Sequence, residues 1–124
     1  AVNAGKIVVC DRYSDSTLAY QHYARGLKGD VCRELNRIAE RGAKIDLTIF
    51  LDLSPEKGFL RKGGADKTDR LESAGAEFHR RVYEGFKEIA RREPDRFVAV
   101  DAEKPADKVL GAVIELLREK GIID

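Results

Sequence analysis

The sequence of 124 residues lacks several features that would assign it to a class of protein. No apolar run approaches the ~18 to 20 residues of a bilayer-spanning helix, so we expect no membrane role. The two cysteines and two histidines have neither zinc-ligand nor disulfide-framework spacing, and we expect Cys10 and Cys32 to be small core residues. Lys and Arg (23) nearly balance Asp and Glu (22), which gives no global positive field for binding nucleic acid. The N-terminal residues are too few and too polar for a secretory signal, so we expect a cytoplasmic location.

What is present is an alternation of strand and helix patterns. Continuous apolar, β-branched runs predict buried strands at residues 6–10, 47–53 and 97–101. The helix that Asp30 can cap has an apolar face that we expect to pack inward, made of Val31, Cys32, Leu35, Ile38 and Ala39. Strands that alternate with helices imply a parallel sheet with right-handed crossovers, and we expect one α/β domain over residues 1–124. The predicted helices run from Ser14, Asp15 or Ser16 to about Arg25, from Asp30 to Gly42, from Pro55, from about Ala74 to Arg92, and from Pro105 to Gly121.

Each predicted strand ends in an aspartate, namely Asp11, Asp52 and Asp101. The carboxyl ends of parallel strands form the edge at which α/β proteins bind ligands. Three carboxylates there could hold Mg²⁺ or could cap the helices that follow. For Asp52 and Asp101 we favour capping, because helix-start signals follow both of them closely.

The first polar cluster follows the first predicted strand. Asp11 and Arg12 come directly after it, and Ser16, Tyr20 and Gln21 follow at helical spacing. The planar fork of an arginine suits a phosphate, while hydroxyl, ring and amide groups would line one side of a pocket for a nucleoside monophosphate. The alternative is that Asp11 and Arg12 pair with each other and that Tyr20 and Gln21 are ordinary surface residues.

Two further segments have a functional and a structural interpretation. Residues 61–72 combine two glycines with Arg61, Lys67 and Arg70, as in a lid that swings cations over a transferring phosphoryl group. A solvated polar loop is the alternative. Residues 101–105 form a short strand-to-helix loop whose backbone could accept a purine edge, although such loops also serve only to turn the chain.

Taken together, these segments resemble the thymidylate kinase family, which phosphorylates dTMP to dTDP with ATP and Mg²⁺. Residues 7–21 are similar to the family signature D-R-Y/H-x-x-S-x-x-A-Y-Q with an apolar run before it. Residues 46–56 are similar to P-D-L-T-x-x-L-D-x-x-P-E, with Ile45 where the family often has Pro. Arg61 and residues 69–72 match the two ends of the lid, and residues 101–105 match the adenine loop. The resemblance covers essentially the whole chain. It implies a P-loop-kinase-like parallel sheet with flanking helices.

The resemblance also implies roles for individual residues. Asp11 would lie near Mg²⁺, and Arg12 would hold the dTMP phosphate. Tyr20 would pack beside the deoxyribose, where a bulky ring disfavours a 2′-hydroxyl. Ser16 and Gln21 would border the thymine. Arg61 and Arg70 would belong to a lid over the ATP phosphates and would act in catalysis together with Arg12. The adenine loop would consist of Asp101, Ala102 and Glu103.

The chain departs from the family pattern in three places. Gly63, Gly64 and Ala65 stand in the middle of the lid, where many bacterial relatives place arginines, and Phe86 replaces the usual Tyr. The sequence also contains no G-x-x-x-x-G-K-[ST] phosphate loop. We therefore expect an incomplete fold that lacks the family's first strands.

We expect such a chain to have little or no kinase activity alone, and to form a homodimer or need its missing N-terminal portion. Two alternatives stay open. One is a kinase for another nucleotide or a nucleoside, and the other is a truncated, non-catalytic nucleotide-binding or interaction module.

Overall fold

Two parallel strands form the sheet in the part of the chain that the structure describes. The structure is a computed structural model, and it describes residues 1–63 and 75–124. Strand β1 (Thr48–Asp52) pairs in parallel with β2 (Phe97–Asp101), so that Asp52 lies opposite Asp101. The second and third predicted strands are thus confirmed. Most of the predicted lid, including Arg70, lies outside the described residues.

Helices flank this sheet and supply the crossover that a parallel pair requires. Helix α3 begins as predicted, because the Ser54 hydroxyl accepts a hydrogen bond from the Lys57 N–H at 3.4 Å and Pro55 occupies the first turn. The helices are α1 (Ser14–Thr17), continued by a π-helical segment (Leu18–Ala24), then α2 (Gly29–Glu40), α3 (Pro55–Arg61), α4 (Gly75–Arg92) and α5 (Ala106–Glu119), with a 3₁₀ turn at Val2–Ala4.

The π-helical segment decides which side chains of the first long helix face inward. Ala19 and Ala24 are 0% and 5% exposed, although they are five residues apart. In an α-helix that spacing puts two side chains on different faces, because the repeat is 3.6 residues. The wider i→i+5 turn brings both to one face. The sequence pattern predicts the helix but not this turn.

The core lies between the π-helical segment, α4 and β2. Ala19, Ala24, Val82, Ile89 and Phe97 form its buried centre. Aromatic rings from three elements complete it, with the ring centroids of Phe50 and Phe86 5.3 Å apart and those of Phe86 and Phe97 6.3 Å apart. These contacts hold the helix that carries the first polar cluster against the sheet.

The prediction of a buried strand at residues 6–10 is wrong. The segment is not a strand, and the side chains of Ile7, Val8 and Val9 are 62%, 55% and 91% exposed. A strand forms only when a neighbour takes up its N–H and C=O groups, and in the described residues β1 and β2 pair with each other. Cys10 is exposed as well, contrary to prediction, whereas Cys32 is buried as expected.

Helix α2 packs through one edge of the predicted face, since only Cys32 of its five predicted apolar residues is buried. Gly29 and Cys32 are buried, and the Asn36 amide donates to the Ser14 carbonyl at 2.9 Å. Gly29 allows this approach, since a Cβ there would lie 2.9 Å from the His22 ring. The rest of the predicted face is exposed, so the predicted inward packing is wrong for Val31, Leu35, Ile38 and Ala39. Small residues and an amide, not the bulky apolar ones, make the contact.

Within residues 1–63 and 75–124, no helix is both long and apolar enough to cross a membrane.

Candidate functional site

Arg12 and Tyr20, both predicted site residues, are in direct contact. The Arg12 guanidinium donates a hydrogen bond to the Tyr20 hydroxyl at 2.8 Å, and its central carbon lies 5.4 Å from the centre of the Tyr20 ring. Arg12 is exposed, whereas Tyr20 is half-buried and packs edge-on against Phe78 and Phe86. A rigid aromatic side chain therefore holds one end of an accessible cation.

Gln21 and Arg25 lie on the same helix, next to this pair. The Arg25 guanidinium donates to the Gln21 side-chain oxygen at 3.2 Å and lies 5.5 Å from the centre of the Phe78 ring. Gln21 and Ser16 are both half-buried. We call Arg12, Tyr20, Gln21, Arg25 and Phe78 the Arg12 cluster. It combines two cations, an amide and an aromatic platform, which are groups that suit an anionic ligand with a planar part.

A buried ion pair ties the start of this helix to the sheet. Asp15 is only 7% exposed, and its two carboxylate oxygens accept hydrogen bonds from the two terminal nitrogens of Arg96, each at 2.9 Å. The Thr48 hydroxyl, at the first residue of β1, donates to the same carboxylate at 2.7 Å. We call Asp15, Thr48 and Arg96 the Asp15 anchor. It joins three segments that are far apart in sequence.

Electrostatics reinforces the Asp15 anchor. The hydrogen bonds to Asp15, with a further pair to Glu93, raise the pKa of Arg96 above its ordinary value. The cationic form of Arg96, which the carboxylates bind, is thus favoured further. A bidentate arginine–carboxylate pair is among the strongest and most directional side-chain contacts, so the position of Asp15 is closely defined.

A second cluster forms around the loop after β2. The Arg61 guanidinium donates to the Glu103 carbonyl at 2.7 Å, and the Lys57 ammonium lies 2.5 Å from the Glu103 carboxylate. The Asp101 carboxylate accepts from the Glu103 N–H at 2.9 Å, and the buried Ala102 N–H donates to the Asp52 carbonyl at 3.0 Å. We call Lys57, Arg61, Asp101, Ala102 and Glu103 the Glu103 cluster. It brings four predicted site residues together.

The aspartates at the strand ends do not cap helices as predicted. Asp101 stabilises its own loop, and the Asp52 carboxylate accepts from the Tyr83 hydroxyl at 2.8 Å. Burial, and then this hydrogen bond, raise the pKa of Tyr83 to about 12. Since residues 6–10 form no strand, Asp11 is not part of a three-aspartate edge. The only strand-end pair in the described residues is Asp52 with Asp101.

Asp11 is the predicted metal ligand. Its carboxylate is exposed, and in the described residues no group of three or more acidic, His or Cys side chains is close enough to hold an ion. Mg²⁺ commonly keeps several waters and takes one or two protein carboxylates together with substrate phosphates. An accessible carboxylate next to Arg12 fits that requirement, whereas an all-protein cage would not be available among these residues.

The structure joins the predicted residues into two groups and not into one. In residues 1–63 and 75–124, no hydrogen bond or ion pair connects the Arg12 cluster with the Glu103 cluster, and none joins Asp11 to Arg12. The predicted alternative of an Asp11–Arg12 pair is therefore wrong. Sequence reasoning missed Asp15, Thr48, Arg96 and Tyr83, since their contacts join segments from 31 to 81 residues apart.

The two parallel strands with helices around them match part of a nucleotide kinase fold of the P-loop type, as the comparison with a solved structure shows. A solved thymidylate kinase from Ehrlichia chaffeensis superposes with a TM-score of 0.70 at 28% identity, covering 94% of this chain and 53% of the other. The thymidylate kinase family model matches residues 1–113. The chain belongs to the thymidylate kinase family.

Curated relatives extend this result. A thymidylate kinase from a Synechococcus species is 51% identical over 108 residues, which cover 86% of this chain and 51% of that protein. Another, from Bacillus cytotoxicus, is 44% identical over 122 residues, which cover 97% of this chain and 59% of that protein. The chain thus spans between half and three-fifths of the length of these relatives.

Proposed function

We propose that this chain provides the dTMP-binding wall and the adenine-side loop of a thymidylate kinase, which phosphorylates dTMP to dTDP with ATP. The observation that carries the proposal is the Arg12–Tyr20 contact inside the family signature, which orients an accessible guanidinium against the Tyr20 side chain. The phosphate-loop part of such an enzyme is not contained in these residues, so activity requires that part from elsewhere.

On the dTMP side, Arg12 binds the substrate phosphate. Its fork offers N–H groups beyond the one that bonds to Tyr20, and a phosphate accepts two of them side by side. Ser16 and Gln21 provide hydroxyl and amide groups for the edge of the base. The Tyr20 ring fills the space beside the sugar, which favours a deoxyribose. These groups position the acceptor oxygen for in-line attack, and phosphoryl transfer depends mainly on positioning and charge neutralisation.

On the ATP side, the loop of Asp101, Ala102 and Glu103 borders the adenine, while Arg61 and Arg70 belong to the lid. Arg61 is held on the Glu103 carbonyl, so the end of α3 and the loop after β2 form one unit. Lid cations neutralise charge on the transferring phosphoryl group and, together with Arg12, make up the proposed catalytic set.

Mg²⁺ supplies the neutralisation of phosphate charge when it is bound. Asp11 is the residue that would hold it, through its exposed carboxylate. The chain's own contribution here is one oxygen ligand beside the arginine that binds the phosphate.

Ligand binding to the 124-residue chain tests the proposal. Calorimetric titration with dTMP, thymidine, dUMP, CMP and ATP should give the tightest binding for dTMP, with thymidine weaker because it lacks the phosphate. Arg12→Gln should remove the advantage of dTMP over thymidine, whereas Arg33→Gln, at an exposed position of α2, should leave it intact. No preference for dTMP would favour a kinase for another nucleotide, and no nucleotide binding would favour an interaction module.

Turnover is a separate test. A coupled assay for ADP should detect little or no dTMP phosphorylation by the chain alone, and robust turnover would contradict that prediction. The homodimer stays a prediction from the family resemblance, and the cytoplasmic location stays a prediction from the N-terminal residues. Sedimentation equilibrium measures the first of them.

A further inference from the structure

The backbone of Arg12 has an unusual conformation. Its φ is 62°, in the left-handed region that residues with a side chain seldom occupy, and only Arg41 among the other described non-glycine residues shares a positive φ. Such a conformation persists only where the surroundings over-determine it, and it is common at ligand-binding positions. Here it turns the Arg12 side chain onto the helix that follows. We therefore asked which contacts hold this residue.

Tyr20 holds the side chain of Arg12. The 2.8 Å hydrogen bond uses one terminal nitrogen of the guanidinium, which leaves further N–H groups free to meet a ligand. The Tyr20 ring cannot move freely, because its centroid lies 5.9 Å from that of Phe78 and 6.5 Å from that of Phe86 in edge-on contacts. The fork of Arg12 thus has one fixed end and one accessible end.

Asp15 holds the backbone on the C-terminal side of Arg12. It follows Arg12 by three residues and is bound on both carboxylate oxygens by Arg96 and on one by Thr48. Because Thr48 begins β1 and Arg96 directly precedes β2, the start of the helix cannot shift along the sheet without breaking these bonds. The turn at Arg12 is therefore restrained where it enters the helix.

We propose that Tyr20 and Asp15 are positioning residues that hold Arg12 ready for a phosphate dianion before the ligand arrives. The inference rests on the proposed function, because it takes Arg12 as the phosphate-binding group. It gives Tyr20 a role through its hydroxyl, in addition to that of its ring beside the sugar. It also gives a role in binding to Asp15, which does not touch the ligand.

The proposal concerns the part of the affinity that depends on the phosphate. That part is the ratio of the thymidine dissociation constant to the dTMP dissociation constant. A residue that only stabilises the fold changes both constants together and leaves the ratio unchanged. A residue that positions Arg12 lowers the ratio, because a misplaced guanidinium loses its contact with the phosphate while the nucleoside contacts stay.

The test uses matched pairs of variants of the full chain. Tyr20→Phe removes only the Tyr20 hydroxyl. Its control is Tyr23→Phe, which removes a hydroxyl from another tyrosine of the same helix. Asp15→Asn removes the charge that Arg96 binds. Its control is Glu93→Gln, which removes the other carboxylate bound to Arg96 but leaves Asp15 in place. We expect Tyr20→Phe and Asp15→Asn to lower the ratio by about tenfold and both controls to leave it within about twofold.

The outcomes separate this inference from the proposed function. If the wild-type chain binds dTMP and thymidine equally, Arg12 is not a phosphate ligand and the proposed function fails. If the wild-type ratio is high and both Tyr20→Phe and Asp15→Asn keep it, the proposed function stands and the positioning role is overturned. Thr48→Val weakens the same anchor more mildly and replaces Asp15→Asn if that variant does not fold.

A measurement without ligand completes the test. Nuclear magnetic resonance reports how fast the Arg12 guanidinium rotates about its Nε–Cζ bond, with the signal assigned through Arg12→Lys. We expect slow rotation in the wild type and in Tyr23→Phe, and fast rotation in Tyr20→Phe. Equal rotation rates in the wild type and Tyr20→Phe would overturn the positioning role even if nucleotides bind weakly.

Discussion

The two clusters of predicted site residues are held in place by different physical means. The Arg12 cluster depends on the Asp15 anchor, in which a carboxylate that is only 7% exposed is bonded by an arginine and a threonine. The Glu103 cluster depends on backbone hydrogen bonds and on the Lys57–Glu103 pair, whose side chains are 54% and 48% exposed. Breaking a buried ion pair is costly, whereas an exposed pair contributes little. We therefore expect substitutions to have large effects on the first side and small effects on the second.

The largest effect should come from Arg96→Met. It leaves Asp15 buried with only the Thr48 hydroxyl as a partner, and we expect the free energy of unfolding to fall by about 3 kcal/mol. Urea denaturation measures it. Arg92→Met, which removes an exposed arginine paired with Glu88, is the control and should cost less than about 0.5 kcal/mol. Equal losses in the two variants would remove the contrast between the clusters.

Tyr83→Phe should have an intermediate effect that depends on pH. Tyr83 bonds to Asp52 beside the Glu103 cluster, and at neutral pH the variant should lose about 1 kcal/mol of stability. The pKa of Tyr83 is raised to about 12 in the folded protein, against about 10 for an unperturbed tyrosine. The unfolded chain thus loses this proton first, so the stabilisation is complete below about pH 10 and is lost as the pH rises towards 12.

Denaturation curves between pH 8 and pH 12 test the effect of Tyr83. The stability difference between the wild type and Tyr83→Phe should shrink across the upper part of this range. Tyr13→Phe, which removes the hydroxyl of an exposed tyrosine, is the control. A difference that stays constant with pH would mean that the Tyr83 hydroxyl titrates alike in the folded and unfolded states.

Ser54→Ala should cost less, at about 1 kcal/mol or below. The Ser54 hydroxyl caps α3, the helix that carries Lys57 and Arg61, and its 3.4 Å hydrogen bond is long. Ser54→Asp keeps an acceptor at the cap and should retain the stability of the wild type. Thermal unfolding of the three proteins measures the difference. If alanine and aspartate behave alike, the cap does not contribute.

The smallest effect should come from Lys57→Met. The ion pair with Glu103 is exposed on both sides, so we expect a change below about 0.5 kcal/mol that vanishes at high salt. Urea denaturation at low and high salt measures it. A loss as large as that of Arg96→Met would show that the Glu103 cluster depends on charge as strongly as the Asp15 anchor does.

Local signals in the sequence were enough to predict much of the fold. Ser54-Pro55 predicted the start of α3, and the apolar run before Asp101 predicted β2. Residues 6–10 look equally apolar, yet they form no strand, because a strand needs a partner and the described residues offer none to this segment. Periodicity likewise succeeded only for Cys32 on α2 and failed for Val31, Leu35 and Ile38, which are exposed. Apolar character predicts that a segment can be buried, and not what will cover it.

The candidate site was predictable as a set of residues but not as a set of contacts. The motif pointed to Arg12 and Tyr20, whereas their hydrogen bond depends on how the helix turns. Asp15 and Arg96 carry no local signal, because a charged residue is expected at the surface unless a distant partner meets it. The pairing of Arg61 with Glu103 similarly depends on two segments that meet only in the fold. The roles of these residues in binding stay predictions that the experiments above address.

The π-helical segment Leu18–Ala24 has a consequence for insertions and deletions. It holds one residue more per turn than an α-helix, and that extra residue lets Ala19 and Ala24 be buried together. Deleting one residue between Gln21 and Ala24 would let the segment form a regular α-helix, and the residues before the deletion would keep their positions. An insertion there has no such relaxed form available. We expect the fold to tolerate a single-residue deletion between Gln21 and Ala24 better than a single-residue insertion at the same place.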